Sequence, residues 1–557
     1  MQLLLHLGRL LDAKQMSDLE DLLLNGPPKK MFRDGIADED WLRVQDRSIW
    51  LRLSKLSIAG AKLKKTSVDR LTRISNAYPD WEILENQQDD FPYWLESGWY
   101  GDRVPWKKYQ QTPVDFGELI DYLKRQTVEK DTSIQDDWKV RCKSDFSITS
   151  DALKALANEN LWPEEHWRDA LDVWSQAGLF DESWEQLGSI LLLAPDDFLI
   201  RIAHSLSWWI ESLSKTFESH EQNFLNLCLK VIRLDLEFKK SNELMTDVIN
   251  HPIGHVTEGL LRWWYRKKPE DDQGFPKSLN EIFTELCDVN QNKFMPGRVL
   301  LAMHVISLYR VDQSWTQRYL LPNFAWNVNP VEALGAWVGF LWSPRLYPPL
   351  MVELKESFLE VANHLPDLDK QVLQYASLVT FIALDPRGLF ANVELARVTE
   401  ELPINGLIEC TRTLTQALES SGDQRGECWN NRVEPYFKAI WPKLRKFTES
   451  ERGQLSEALI RLCLESNEDF PSAFKLLRGW FKPVRHPFYV LQQIRENGFI
   501  EKFPLLILEL LDLLISENTP LMLTHLDEVL DAILLQAPQV QMNRKFIRLA
   551  NQFRSST

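Results

Sequence analysis

Helical periodicity dominates this sequence from Asp151 to Ser556, and it constrains the fold more than any other feature. Apolar residues recur there at positions i, i+3, i+4 and i+7, and almost no segment alternates as a half-buried strand does. Each such helix has one apolar stripe, which it can bury only against a neighbouring helix. The sequence therefore predicts an all-α fold, an elongated α-solenoid of irregular helix pairs.

The helix pairs have recognisable starts. Acidic residues in Trp162-Pro163-Glu164-Glu165 and in Asp181-Glu182-Ser183-Trp184 favour the positive N-terminal end of a helix. Between them, Trp167, Leu171 and Trp174 fall on one face. The repeat length, roughly 35 residues here and longer further on, is close to that of tetratricopeptide and HEAT repeats. Stacked repeats of this kind present long surfaces that mostly bind other molecules.

The N-terminal part of the chain follows a different pattern. Residues 78–112 are dense in Trp, Tyr, Pro and Gly, which prevents a continuous helix, and residues 126–147 are polar and charged. We therefore expect two domains. Residues 1–147 form a helical region with a Trp- and Pro-rich irregular segment, and residues 148–557 form the helical repeat domain.

Tryptophan is unusually frequent, with 22 residues in 557. Its large apolar area and single N–H donor suit it to fasten helices together, and an exposed subset could anchor a partner. We predict Trp99, Tyr100 and Trp106 as partner-binding residues at the edge of the irregular segment. Trp429, in the loop predicted at residues 420–431, is a fourth candidate.

Charge and cysteine content narrow the partner and the compartment. The net charge of −16 disfavours nucleic acid as a partner. The six Cys are scattered without a CxxC pair, as in a reduced cytoplasmic protein. The apolar start of the chain lacks the features of a signal peptide. The longest apolar stretch, Phe503 to Ile515, contains Glu509 and Asp512 and is too short to cross a bilayer. We expect no membrane partner and a cytoplasmic location.

Residues capable of catalysis form no recognisable motif. His251 and His255 have helical spacing, but Pro252 and Gly254 lie between them, so a turn with His255 near a helix start is expected rather than a metal site. No phosphate-binding Gly-rich motif is present. The sequence therefore predicts no catalytic, metal or cofactor-binding residue. An enzyme built by convergence of His251, His255 or His304 with acids such as Glu258 stays as an alternative.

Several stretches carry a family resemblance. They are residues 50–56 (WLRLSKL), 60–63 (GAKL), 78–81 (YPDW), 90–94 (DFPYW), 251–254 (HPIG), 257–261 (TEGLL) and 337–342 (WVGFLW). Together they resemble the helical C-terminal region of bacterial sirtuin-like anti-phage defence proteins. In that family an N-terminal sirtuin-like domain hydrolyses NAD, and the helical region is scaffold and sensor. This chain has no Gly-rich Rossmann core, so no catalytic residue transfers to it.

The resemblance implies a function for the chain. It implies a non-catalytic sensor or scaffold that binds a protein, either a phage structural protein or a sirtuin-like NADase, and regulates the NAD-consuming activity. The enzyme domain would belong to a longer parent protein or to a separate one. A purely structural oligomerisation domain, with homo-oligomers, is a further alternative.

Overall fold

The computed structural model describes residues 11–26, 38–79, 81, 108–129, 134–176, 178–217, 219–443, 447–484, 487–516 and 525–556. The described residues are almost entirely helical, which confirms the all-α fold. They also contain two three-residue strands, β1 (Lys108–Gln110) and β2 (Ile134–Asp136), which pair with each other. The described residues divide into a smaller unit, up to residue 108 with 134–135, and a larger unit, 109–129 with 136–556.

The smaller unit contains three described helices, α1 (Ala13–Asn25), α2 (Asp38–Ile58) and α3 (Lys65–Ala77). Helix α1 starts in a capping box, in which the Asp12 carboxylate accepts from the Gln15 amide N–H at 2.8 Å and Gln15 Oε1 accepts from the Asp12 amide at 3.1 Å. Apolar side chains from all three helices form one core, which comprises Met16, Leu23, Ile49, Trp50, Leu51, Leu53, Leu56 and Ile74.

The larger unit is a succession of short helices. In chain order they are α4 (Phe116–Glu129), α5 (Trp138–Ser144), α6 (Phe146–Asn158), α7 (Glu164–Gln176), α8 (Phe180–Leu193), α9 (Asp196–Arg201), α10 (Ala203–Leu213), α11 (Glu221–Arg233), α12 (Leu244–Asn250), α13 (Pro252–Arg266), α14 (Lys277–Leu286), α15 (Met295–Met303), α16 (Val305–Val311), α17 (Gln313–Trp315), α18 (Pro330–Trp342), α19 (Pro348–Glu353), α20 (Lys355–Glu360), α21 (Gln371–Leu384), α22 (Asn392–Glu401), α23 (Ile404–Ser420), α24 (Arg425–Cys428), α25 (Glu434–Ala439), α26 (Glu449–Glu465), α27 (Phe470–Leu477), α28 (Phe488–Glu496), α29 (Phe499–Lys502), α30 (Pro504–Leu514), α31 (Leu526–Gln536) and α32 (Arg544–Ser556).

Tighter and wider helical turns interrupt this succession. The 3₁₀ segments are Asn292–Phe294, Leu321–Phe324, Val361–Asp367, Gly422–Gln424, Asn467–Asp469, Arg478–Trp480 and Pro538–Met542. The π-helical segments are Thr316–Leu320 and Trp429–Val433.

Helix contacts in the larger unit follow chain order. A first series, α5, α7, α10, α13, α15, α18, α21, α23 and α26, has each helix packed on the next one in the series. A second series, α4, α6, α8, α11 and α14, packs in the same way, and α20, α22 and α25 do so further along the chain. Two interleaved series in which each member contacts its neighbours are the packing pattern of an α-solenoid. The solenoid-like fold is therefore confirmed.

Two glycines let helices of the first series approach closely. A Cβ on Gly339 of α18 would lie 2.3 Å from the Val299 carbonyl oxygen on α15. A Cβ on Gly259 of α13 would lie 3.3 Å from the Glu211 Cα atom on α10. Both glycines belong to the stretches that carry the family resemblance, so at these positions the sequence pattern reflects close helix packing.

Tryptophans fasten neighbouring helices, as their number predicts. In the larger unit, eight buried tryptophans each donate their Nε1–H to an acceptor on another segment. These bonds join Trp138 to His166 O, Trp174 to Cys142 O, Trp184 to Ser219 O, Trp209 to Ser183 Oγ, Trp315 to Thr284 Oγ1, Trp326 to Ser357 O, Trp337 to Phe324 O and Trp429 to Ser472 Oγ, at 2.8 to 3.2 Å.

The larger unit begins earlier in the chain than the predicted boundary at residues 147 and 148. The polar composition of residues 126–147 suggested a linker there. However, Trp138 and Cys142 of α5 are fully buried in the core of the larger unit, and so are Leu119 and Leu123 of α4. A few large apolar side chains at helical spacing therefore place this segment in the core of the larger unit, although its average composition is polar.

Candidate functional site

The aromatic residues predicted to bind a partner have different outcomes. Trp99, Tyr100 and Trp106 lie outside the described residues. Trp429 is wrong as a partner contact, because its indole is fully buried and donates to Ser472 Oγ at 2.9 Å. The segment around it, predicted as a loop, is helical, and the π-helical segment that begins at Trp429 holds the indole against α27.

One of the adjacent Trp pairs has an exposed member. Trp208 on α10 is 53% exposed, whereas Trp209 is fully buried. The Trp208 ring stacks on the His255 imidazole of α13, with ring centroids 5.9 Å apart and planes 8° apart. Trp263 and Trp264 are both buried. Trp208 is therefore the member of these pairs that reaches solvent.

Polar side chains next to Trp208 form a hydrogen-bonded and ion-paired network across helices α10 and α13. His255 Nδ1 lies 2.5 Å from Glu211 Oε2, and Arg262 Nη1 lies 3.0 Å from Glu211 Oε1. The Arg262 Nε–H donates to Glu258 Oε1, also at 3.0 Å. Each carboxylate is thus held by a neighbouring cation or imidazole, and the pairing links two helices of the first series.

The same network of side chains continues to the junction of α15 and α16. His304 Nε2 lies 3.7 Å from Glu258 Oε2, and Tyr265 OH lies 2.9 Å from His304 Nδ1. The interaction with His304 lowers the pKa of the Glu258 carboxyl against the opposing effect of its burial. Burial raises the pKa of Tyr265 to about 12. The structure therefore brings His255, His304 and Glu258 into one network, as the enzyme alternative requires.

The members of this network are joined by ion pairs and hydrogen bonds. A Tyr–His–Glu arrangement could relay a proton, but a nucleophilic phenol needs a lowered pKa, and that of Tyr265 is raised. Among the described residues, no group of three His, Cys, Asp or Glu side chains could hold a metal ion. Burial also raises the pKa of the thiols of Cys142, Cys228, Cys287, Cys410 and Cys463, away from the reactive thiolate.

His251 is a helix cap rather than a member of the network. It is the N-cap of α13, which starts at Pro252, so His251 lies outside the helix as predicted. The predicted turn is shorter than expected, because residues 252–254 already form the first turn of α13. Its Nδ1 accepts from the Ile253 amide at 3.2 Å, and its Nε2 lies 3.4 Å from Glu237 O. These two contacts need the neutral ring with the proton on Nε2. Burial lowers the pKa of His251 to about 4, which favours that form.

An open groove of about 580 Å³ lies further along the first series. Its walls are the turn 344–346 after α18, the exposed side of α21 and Glu409 of α23. The apolar lining residues are Pro344, Leu346, Leu373, Leu378 and Phe381, and the polar ones are Arg345, Gln374, Ser377 and Glu409. Phe381 is 46% exposed, and Trp342, two residues before Pro344, is exposed to the same extent.

The polar groups of the groove differ in how well they are paired. Ser377 Oγ and Thr413 Oγ1 are hydrogen bonded at 2.9 Å, and Glu409 lies 3.5 Å from Arg412. Gln374 Oε1 is buried and accepts no hydrogen bond from any described residue. A buried acceptor without a donor costs free energy.

Sequence reasoning missed this groove. Its walls come from three segments, and their convergence depends on how the helices pack. One local signal exists on α21. Gln374, Ser377 and Phe381 lie on one face of this helix, and Phe381 is the aromatic residue in that otherwise polar stripe. Because single exposed apolar residues are common on protein surfaces, this signal does not distinguish the groove from other surfaces.

Within the part of the chain that the structure describes, no helix combines the length and the apolar character needed to cross a membrane. The predicted apolar segment 503–515 corresponds to α30, which is eleven residues long.

Comparison with known proteins gives one distant relative. The chain is 21% identical over 565 aligned residues to a protein of Sinorhizobium fredii (strain NBRC 101917 / NGR234) that is named uncharacterized protein y4cA. The alignment covers 95% of this chain and 45% of the relative, so the chain spans less than half of the relative's length. No protein-family model and no solved structure matches the chain. The resemblance to sirtuin-like defence proteins stays a prediction.

Proposed function

We propose that this chain is a helical scaffold that binds a protein partner through the groove beside α21. The observation that carries the proposal is the combination, in one open groove, of exposed Phe381 with exposed Arg345, whose guanidinium has no partner among the described residues. An apolar cleft with a few polar groups that converge on it is the usual form of a binding site. The solenoid-like array supplies a rigid frame on which such a groove keeps its shape.

A narrower version of the proposal follows from the sequence resemblance. In it, the chain is a cytoplasmic anti-phage sensor whose partner is a phage structural protein or a sirtuin-like NADase, and it regulates NAD hydrolysis without being the enzyme. The alignment with less than half of a longer relative supports one part of this version, namely that the chain acts together with further domains.

Affinity capture with a matched pair of variants tests the proposal. The full chain, Phe381→Ser and Val393→Ser are used as bait in phage-infected and uninfected cells, and each captured protein is then purified and titrated calorimetrically. Val393 is 76% exposed on α22 and does not line the groove, so it controls for the loss of an exposed apolar side chain. We expect a partner that binds the wild type and Val393→Ser and loses affinity for Phe381→Ser.

Three outcomes would contradict the proposal at different levels. A partner that binds Phe381→Ser as well as the wild type places recognition outside the groove. The absence of any partner enriched over a control acidic solenoid contradicts the scaffold function. A partner that is neither a phage protein nor an NADase contradicts only the narrower version.

A further inference from the structure

We propose that the groove beside α21 recognises an extended protein segment that carries a carboxylate side chain next to a large apolar side chain. This inference rests on the proposed scaffold function and adds the chemistry of the partner. In the bound state, the carboxylate pairs with Arg345 and the apolar side chain contacts Leu346, Leu373 and Phe381.

The preference for an apolar side chain follows from the lining of the groove. Leu378 is buried at its base, Leu346 and Leu373 are half-buried, and Phe381 is 46% exposed. These surfaces lose water when a side chain of similar size covers them, and that loss is favourable. Trp342, two residues before the lining residue Pro344, is 46% exposed as well.

The preference for a carboxylate follows from the distribution of charge. Arg345 is exposed, and no described residue forms an ion pair or hydrogen bond with its guanidinium. The other charged group of the lining, Glu409, is already neutralised in part by Arg412 at 3.5 Å. The groove therefore has an available cation at the turn 344–346 and an anion at α23. An acidic side chain fits only the end formed by the turn, where guanidinium can bind both of its oxygens.

The preference for a protein segment follows from the openness of the groove and from the scaffold function proposed above. Small ligands usually occupy pockets that bury most of their surface, and the acyl chain of a fatty acid would stay largely in water here. Nucleic acid is disfavoured by the net charge of −16. A peptide with an acidic and an apolar side chain matches both the guanidinium of Arg345 and the apolar surface.

Selection from a library of random linear peptides on the full chain tests this inference. The baits are the wild type, Arg345→Glu and Arg461→Glu. Arg461 is an exposed arginine on α26 that does not line the groove, and its replacement changes the net charge by the same amount. Thermal melting of each variant shows that it is folded. We expect the wild type and Arg461→Glu to enrich Asp or Glu next to a large apolar residue, and Arg345→Glu to enrich Lys or Arg there.

Fluorescence anisotropy with one enriched peptide then measures each contact. We expect Arg345→Glu to weaken binding by about tenfold or more, and a Lys-for-Asp version of the peptide to restore it. Oleate at the same concentration should not displace the peptide.

Several results would overturn the inference. They are the absence of an enriched motif, a motif without an acidic residue, equal effects of Arg345→Glu and Arg461→Glu, and displacement of the peptide by oleate. If a captured partner still loses affinity for Phe381→Ser, the scaffold function stands and only the chemistry of its partner is wrong. If Phe381→Ser has no effect on any partner, the scaffold function through this groove fails as well.

Discussion

Adjacent tryptophans have opposite roles in this protein because a helix turns by about 100° between consecutive residues. Trp209 points into the core, where its N–H donates to Ser183 Oγ at 2.8 Å, whereas Trp208 faces solvent over His255. Such an acceptor lowers the cost of burying the indole, because an unpaired donor in the core is costly. Trp429 has such an acceptor in Ser472. The position of a Trp on its helix therefore decides whether it stabilises the fold or contributes to the surface.

Replacement of Trp429 and of Trp208 by Ala should separate these two roles. We expect Trp429→Ala to lower the free energy of unfolding by about 3–5 kcal/mol, because it leaves a large cavity and an unpaired Ser472 hydroxyl. Trp208→Ala, at a half-exposed position, should cost less than about 1 kcal/mol. Denaturant titrations of the two variants measure the difference. A loss for Trp429→Ala as small as that expected for Trp208→Ala would show that the indole of Trp429 contributes little to the core.

At the scale of helices, close packing between α15 and α18 depends on Gly339. A methyl group there would overlap the Val299 carbonyl oxygen at 2.3 Å, and backbone cannot move as easily as a flexible side chain. Gly453, on α26, has no atom within 4 Å of its hypothetical Cβ. The same substitution therefore has opposite consequences at the two positions.

Gly339→Ala should destabilise the protein by about 2 kcal/mol or more, because the two helices must separate. Gly453→Ala should stabilise it by about 0.5–1 kcal/mol, because Ala costs less backbone entropy than Gly in a helix. Thermal and chemical unfolding of the two variants beside the wild type tests both signs. A neutral Gly339→Ala would mean that α15 and α18 can shift apart at little cost.

The His251 cap makes the start of α13 sensitive to pH. The pKa of His251 is lowered to about 4 by burial, below the value of about 6.5 in the unfolded chain. Its contribution to stability is therefore complete above about pH 6.5 and is lost as the pH falls towards 4. After allowance for partial exposure to solvent, we expect a loss of about 1 kcal/mol between pH 7 and pH 5.

His251→Asn is the matched control for this pH effect. Asparagine is a good N-cap and does not titrate in this range. The stability difference between the wild type and His251→Asn should therefore shift in favour of the variant by about 1 kcal/mol as the pH is lowered from 7 to 5. Denaturant midpoints across this pH range measure the shift. A difference that does not change with pH would show that the imidazole titrates normally in the folded protein.

At the scale of the whole molecule, the sequence predicts the helix positions and helix starts that depend on local residue patterns. The apolar segment 503–515 predicts α30, and the acidic pair at Glu164 and Glu165 predicts the start of α7. The burial of Trp429 could not be predicted, because it depends on a π-helical segment and on the position of α27. The groove depends on three segments that meet only after α18, α21 and α23 have packed. Helix positions follow from periodicity, whereas surfaces shared by several helices follow from tertiary packing.

One buried ion pair connects consecutive helices of the first series. Arg298 on α15 is 2% exposed and forms two hydrogen bonds of 2.7 Å with the Glu332 carboxylate on α18. Its Nη1 also donates to the carbonyl oxygens of Asp288 at 2.8 Å and Gln291 at 3.2 Å. The guanidinium therefore holds α15, α18 and the turn after α14 together at one point of the array.

Arg298→Met should unfold the array locally rather than as a whole. It leaves the Glu332 carboxylate buried without its partner, which costs about 3–5 kcal/mol, whereas Arg298→Met combined with Glu332→Met removes both charges and should recover most of that loss. Because helices contact mainly their neighbours in each series, protection from hydrogen exchange should fall in α14, α15 and α18 and persist in α26. Exchange measured by mass spectrometry on the two variants and the wild type tests this. A uniform loss of protection across the larger unit would show instead that its helices unfold in one cooperative step, as they do in a globular domain with a single core.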